Sequence, residues 1–345
     1  PPGGAMMRAA LGSVLGFTAL VFGVAGAQEV RLNHRSIHDP ALITDDTQVY
    51  AFHTGPGITQ RCGQSVADLQ SCSRVFFRPP DWHREEIVGV DHLWAPDVTW
   101  TGGEYRLYYS VSTFGSNRSA IGLATTPTLN PQDPDFAWVD RGPVVQSYPS
   151  DNFNAIDPNL FIDEDGRHWL TFGSFWSGIQ LTELDPQTGL LMHPHDPNLK
   201  TIATRPAWPH AVEAPFVWEH NDWVYLFVSF DQCCEGVDST YNVRVGRADT
   251  MAGPFLDREG RPLTQGGGTQ LIASDGRFEG PGHNAVFHTG GRDYVALHAY
   301  DREYRGVATL RVHPITWGDD GWPTLAAALE PAALETLTPP FTKEP

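Results

Sequence analysis

Cationic residues are scarce in this chain. Lys and Arg number 23 against 41 Asp and Glu, giving a formal net charge of −18 and a pI near 5.0. Nucleic acid is excluded as a partner, because its binding rests on neutralising phosphates with Lys and Arg. An anionic membrane is disfavoured for the same reason. Beyond the N-terminal region no apolar run is long enough to cross a bilayer. A sustained helical period is missing from the body, so long helices are not its building material. Only four cysteines are present, Cys62, Cys72, Cys233 and Cys234, and they lack the paired spacing of a zinc site. Cys62 and Cys72 flank a short polar loop and could bridge it. The adjacent Cys233 and Cys234 read as a packed pair or a vicinal bridge. Gly266-Gly267-Gly268 has no following P-loop lysine and reads as a turn.

What the chain does have is 41% hydrophobic residues with 18 Phe, 11 Trp and 10 Tyr, and also 34 Gly and 28 Pro. That mixture favours many short strands joined by tight turns. At the N-terminus Arg8 precedes an apolar run from Ala9 to Val24 and then Ala25-Gly26-Ala27. This is the pattern of a secretory signal peptide cleaved after Ala27, with an uncleaved anchor as the competing reading. Export would permit disulfides. The expected organisation is an extension and signal peptide over 1–27, a repeat domain over 28–325 and a tail over 326–345. The tail carries no strand signal and reads as a strap or a disordered end.

Three acidic phrases recur: His38-Asp39-Pro40, Ile156-Asp157-Pro158 and Val212-Glu213-Ala214-Pro215. Each opens an apolar run, and proline is tolerated at the first residue of a strand. Trp94-Ala95-Pro96-Asp97 and Gly280-Pro281-Gly282-His283-Asn284 have the same shape. Each head leads through a Gly, Asp or Asn turn into a second apolar run, as a hairpin requires. Laid over one another at Asp39, Asp97, Asp157, Glu213 and His283, the five units predict an all-β, five-bladed β-propeller. A β-sandwich would account for the strands but not for the five aligned starts. Residues 125–155 and 190–212 read as long connections at the rim of a cleft, and Trp100, Trp169, Trp218 and Trp223 as blade packing.

Carboxylates from separate blades meeting at one channel mouth fit cleavage of a glycosidic bond. That reaction needs a proton donor at the leaving oxygen and a second carboxyl group across the bond. The donor must stay protonated, so burial or a negative neighbour must raise its pKa. A third acid is suited to tuning it.

With these residues in view, the chain resembles glycoside hydrolase family 43, in its arabinan-degrading branch. The phrases that carry the resemblance are His38-Asp39-Pro40, Leu93-Trp94-Ala95-Pro96-Asp97, Phe114-Gly115-Ser116, Asn154-Ala155-Ile156-Asp157-Pro158, Gly173-Ser174-Phe175-Trp176-Ser177-Gly178-Ile179, Val212-Glu213-Ala214-Pro215, Cys233-Cys234-Glu235-Gly236 with Ser239-Thr240-Tyr241, and Gly280-Pro281-Gly282-His283-Asn284. It implies Asp39 as general base, Glu213 as general acid and Asp157 as the acid that positions the donor and raises its pKa. It implies inversion and, as the expected substrate, α-1,5-linked arabinan or arabino-oligosaccharides, cut within the chain. An exo-acting arabinofuranosidase or β-xylosidase, or a non-catalytic carbohydrate-binding propeller, are the alternatives. His283 matches a channel histidine that contacts a central ion, usually calcium, largely through water; a purely structural histidine is the other reading. Trp94, Phe114, Gly115, Asn154, Ser174, Phe175 and Trp176 are the expected substrate contacts, and Asp97 a structural hydrogen-bonding residue. Asn117-Arg118-Ser119 fits a glycosylation acceptor in a eukaryotic host.

Overall fold

The computed structural model describes residues 36–343, so the expected signal peptide lies outside the described residues. Within them, five four-stranded antiparallel sheets follow one another along the chain. Blade one is β1 (Ala41–Thr44), β2 (Val49–His53), β3 (Thr59–Gly63) and β4 (Gln70–Arg74). Blade two is β5 (Trp94–Thr101), β6 (Glu104–Val111), β7 (Ser119–Thr126) and β8 (Val139–Ser147). Blade three is β9 (Asn159–Ile162), β10 (His168–Phe172), β11 (Ile179–Leu184) and β12 (Lys200–Ala203). Blade four is β13 (Val212–His220), β14 (Trp223–Phe230), β15 (Asn242–Ala248) and β16 (Thr269–Ile272). Blade five is β17 (Phe278–Thr289), β18 (Arg292–Asp301), β19 (Val307–Trp317) and β20 (Pro323–Leu325). The five-bladed propeller expected from the repeats is the fold. Ser36 pairs with Thr309 of blade five, so the chain ahead of blade one joins the ring's last sheet.

Turn chemistry sets the hairpins. Gly102-Gly103 and Gly290-Gly291 both have positive φ at each glycine and join strands whose flanking residues pair directly. Only residues without a Cβ penalty enter such a two-residue turn easily.

A propeller has no single core; each blade interface holds one. Tyr50 and Phe52 of blade one pack on Leu107 and Tyr109 of blade two. Tyr108 and Leu123 meet Leu170 and Phe172, and Leu181 meets Leu226 and Val228. Trp218 and Phe227 meet Val286 and Leu297. The last interface joins Phe287 and Val312 to Leu42 and Ala51, and takes in Leu334, Leu337 and Phe341 from the tail. Because both faces of a blade are covered, β2 and β7 are buried along their whole length.

Several expectations are corrected by the sheet edges. The presumed loops 125–155 and 190–212 contain β8 and β12, whose polar composition is that of outermost strands with one face in water. Cys62 and Cys72 lie on β3 and β4 and are disulfide-bonded across these paired strands, and Cys233 is bonded to Cys234. Trp100 is not blade packing: it is 51% exposed and only leans on Tyr105. Trp218 is fully buried, while Trp169 and Trp223 pack from partly buried positions. The tail is a strap that carries helix α2 (Pro331–Leu334), while the short α1 (Asp81–Glu86) sits between blades one and two. Trp218→Ala should cost about 3–5 kcal/mol by leaving a cavity at an interface core. Urea unfolding with an unchanged slope would measure that loss.

Candidate active site

Asp39, Ala95, Asp157, Ala214 and His283 all have positive φ, between 47° and 58°. One such residue lies at or near the start of the innermost strand of each blade, in β17 at the register shift between Gly282 and Ala285. A left-handed non-glycine residue is strained and persists only where its surroundings hold it. Here the holding contact is the residue's own N–H, which donates to a side chain of the preceding blade. Ala95 donates to Thr54 Oγ1 at 2.9 Å, Asp157 to Ser110 Oγ at 2.9 Å and His283 to Ser229 Oγ at 3.0 Å. Asp39 donates to His298 Nδ1 at 3.2 Å. The corresponding residue of blade three is Gly173, where a Cβ would meet Gly178 O at 2.5 Å. With no side chain available there, the Ala214 N–H donates to Asp157 Oδ2 at 3.1 Å.

This repeat corrects the sequence alignment. Asp39, Asp157 and His283 are equivalent, but Glu213 stands one residue before its blade's left-handed position and Asp97 two after. The bulge between Glu213 and Phe216 accommodates the offset. As a result Asp39 and Asp157 are buried at 7% exposure each, whereas Glu213 stays partly open to the mouth.

The three carboxyl groups have different surroundings. Burial works to raise the pKa of Asp39, but His38, His283 and His298 outweigh it and hold the group well below the ordinary range. The His38 Nδ1 is 2.8 Å from Asp39 Oδ2, and His283 Nδ1 and His298 Nδ1 lie 3.3 and 3.5 Å from Oδ1. Thr54 Oγ1 donates to Asp39 Oδ2 at 2.5 Å. Burial, then Glu213 and Asp39, push Asp157 well above its ordinary value. Burial likewise raises Glu213, against the hydrogen bonds of Ser174 and Tyr241, with Asp39 adding to the rise. Ser174 Oγ donates to Glu213 Oε2 at 2.6 Å. Asp157 and Glu213 therefore titrate as a unit that keeps a proton where an isolated carboxylate would lose it. One ionised and one protonated carboxyl environment, side by side, are what bond cleavage with acid and base assistance needs.

A profile of the glycosyl hydrolases family 43 matches residues 33–323. The chain belongs to this family. It is 39% identical over 310 residues to the extracellular exo-α-(1→5)-L-arabinofuranosidase ArbA of Cellvibrio japonicus, covering 86% of this chain and 87% of that protein. To the extracellular endo-α-(1→5)-L-arabinanase 1 of Bacillus subtilis it is 40% identical over 295 residues, covering 84% and 87%. Among solved structures, an exo-1,5-α-L-arabinanase from a bovine ruminal metagenomic library superposes with a TM-score of 0.81 at 39% identity, covering 86% of this chain and 98% of that one.

As a family 43 member the chain is a glycoside hydrolase, and its other expected site residues are placed as follows. Ser174 bonds the candidate acid and is buried, while Phe175 and Trp176 follow it with positive φ, Trp176 being 37% exposed. Phe114 is 85% exposed, with Gly115 beside it at φ 76°, in the connection from β6 to β7. Trp94 is half-buried at the start of β5, next to Ala95. Asn154 is buried with its Oδ1 unpartnered, three residues before Asp157. Sequence reasoning gave no role to His38, Thr54, Tyr241 or His298. His38 and Tyr241 stood within quoted phrases; Thr54 and His298 carried no local signal, since only blade neighbours bring them to the carboxylates.

The groups gathered at the Asp39 carboxylate are the three imidazoles of His38, His283 and His298. Calcium takes six to eight oxygen ligands, and no oxygen cage is gathered here among the described residues. His283 offers such an ion one imidazole nitrogen and belongs to no cluster of three ligand atoms among the described residues. Ser174→Ala should move the alkaline limb of the pH–rate profile upward, because the hydroxyl favours the ionised form of Glu213. Initial rates from pH 4 to 9 check the direction.

Proposed function

We propose that this chain is a secreted, inverting hydrolase of α-1,5-linked L-arabinan that cuts within the polymer. The observation that carries the reading is the split between Asp39, held ionised by imidazoles, and the Asp157–Glu213 pair, held protonated by burial. Asp39 takes a proton from a water that attacks the anomeric carbon. Glu213, open to the mouth, gives its proton to the departing sugar oxygen as the glycosidic bond breaks. Asp157, itself pushed up by burial and by Glu213, shares a proton with that neighbour, and by accepting the Ala214 N–H it fixes the backbone beside the donor. The partly exposed Trp94 and Trp176 and the exposed Phe114 offer ring faces to furanose units.

The names of the relatives support arabinan as substrate and export as the location. The Cys62–Cys72 and Cys233–Cys234 bridges accord with an oxidising compartment. Exo action is the second reading, favoured by the names of the Cellvibrio relative and the rumen structure. A product time course on linear arabinan separates the two. A spread of oligosaccharides from the first minutes is expected; arabinose alone would overturn endo action.

Asp39→Ala and Glu213→Ala should each lower kcat by roughly 10²–10⁴-fold, while calorimetry still records binding of arabino-oligosaccharide. Unchanged turnover in either variant would refute its role. Asp157→Asn should cut the rate and move the alkaline limb downward, since a lost negative neighbour makes Glu213 easier to ionise. An unmoved limb would remove Asp157 from that role.

A further inference from the structure

At the end of the channel away from the carboxylates lies a cavity of about 1500 Å³, lined by residues of all five innermost strands and by Pro340–Lys343 of the tail. The tail does not merely cross this mouth. Phe341 is buried, stacks on Phe287 of β17 at 4.5 Å, and its N–H donates to Thr44 Oγ1 of β1 at 2.7 Å. Thr342 exchanges backbone hydrogen bonds with His288 of β17. Lys343 Nζ then reaches into the channel, donating to Asp97 Oδ1 and Oδ2 of β5 at 2.8 and 3.1 Å and to Thr99 Oγ1 at 2.6 Å. It also lies 5.7 Å from the centre of the Phe216 ring of β13.

Asp97 is 4% exposed and belongs to a layer directly beneath the candidate site. Its Oδ2 also accepts the Leu160 N–H at 2.8 Å and Asn159 Nδ2 at 3.3 Å. Asn159 is two residues after Asp157, and its Oδ1 accepts the Val217 N–H, four residues after Glu213. One ammonium thus neutralises a buried carboxylate that ties together the strands carrying Asp157 and Glu213. An unpaired buried charge is strongly unfavourable and relieves itself by moving or protonating.

We propose that residues 341–343 form an axial plug. Lys343 is a positioning residue for the reaction, acting through Asp97 on the strands that hold Asp157 and Glu213. Four innermost strands touch the plug directly, and Asp97 joins it to the fifth, β9.

The test is a double-variant cycle on the full chain with Lys343→Met, Asp97→Asn and both together. Lys343→Met should lower kcat on linear arabinan by roughly tenfold to a hundredfold, the scale of a small misplacement of reacting groups, and leave KM within about twofold. It should also lower Tm. Adding Asp97→Asn should recover much of both losses, since the amide needs no counter-charge. Wild-type kcat and Tm in Lys343→Met, or a loss that Asp97→Asn does not relieve, would overturn the plug. Because the kinetic readout rests on the arabinanase reading, the Tm cycle is measured without substrate. A wild-type chain inactive on arabinan but showing the Tm coupling would sink that reading and leave the plug standing.

Discussion

The structure depends on one strained backbone position repeated five times. A left-handed residue at or near the start of each innermost strand turns the chain from the rim into the channel, and its N–H is satisfied by the blade before it. The same contact therefore aims a side chain at the axis and stitches neighbouring blades. At Ala95, Asp157 and His283 the acceptor is a hydroxyl of the preceding blade, which serves the backbone alone. Where it is an imidazole or a carboxylate, the stitching and the chemistry share atoms: His298 holds the amide of Asp39, and Asp157 holds the amide of Ala214.

That economy explains how carboxyl groups in one small volume take opposite protonation states. All are removed from bulk water, which by itself would raise every one of them. Asp39 escapes because three imidazoles and the Thr54 hydroxyl surround it. Asp157 faces Glu213 and has a single backbone N–H in compensation, so it stays high. The offset of Glu213 by one residue gives that side chain, alone among the three, an opening to the mouth. Away from the mouth, the five interface cores leave the channel itself polar. A buried carboxylate such as Asp97 is tolerable there only with a cation and several donors around it.

Much of this was legible in the residues. The five proline- or glycine-marked heads, followed by paired apolar runs around Gly, Asp or Asn turns, announced a radial repeat because those turns have few other solutions. Asp39, Asp157 and Glu213 were legible for the same reason, as carboxylates at strand starts. The outermost strands β8 and β12 were not, because an edge strand with one wet face has the composition of a loop. Trp100 was misread as packing because a tryptophan in a strand is usually buried, and nothing local says that its side is open to solvent.

The amino-acid order by itself determined the all-β repeat, the number of blades and the placing of carboxylates at strand starts, since strand period, turn chemistry and spacing are local properties. Only the closed ring decided the register among those acids and the histidines and hydroxyls that surround them. It alone decided the use of the tail too. Thr54 meets Asp39, Gly173 yields its place to Asp157, and Lys343 meets Asp97 across 246 positions of chain. Such pairings are set by which blade lies beside which, and no stretch of sequence holds that information until the ends of the ring have met.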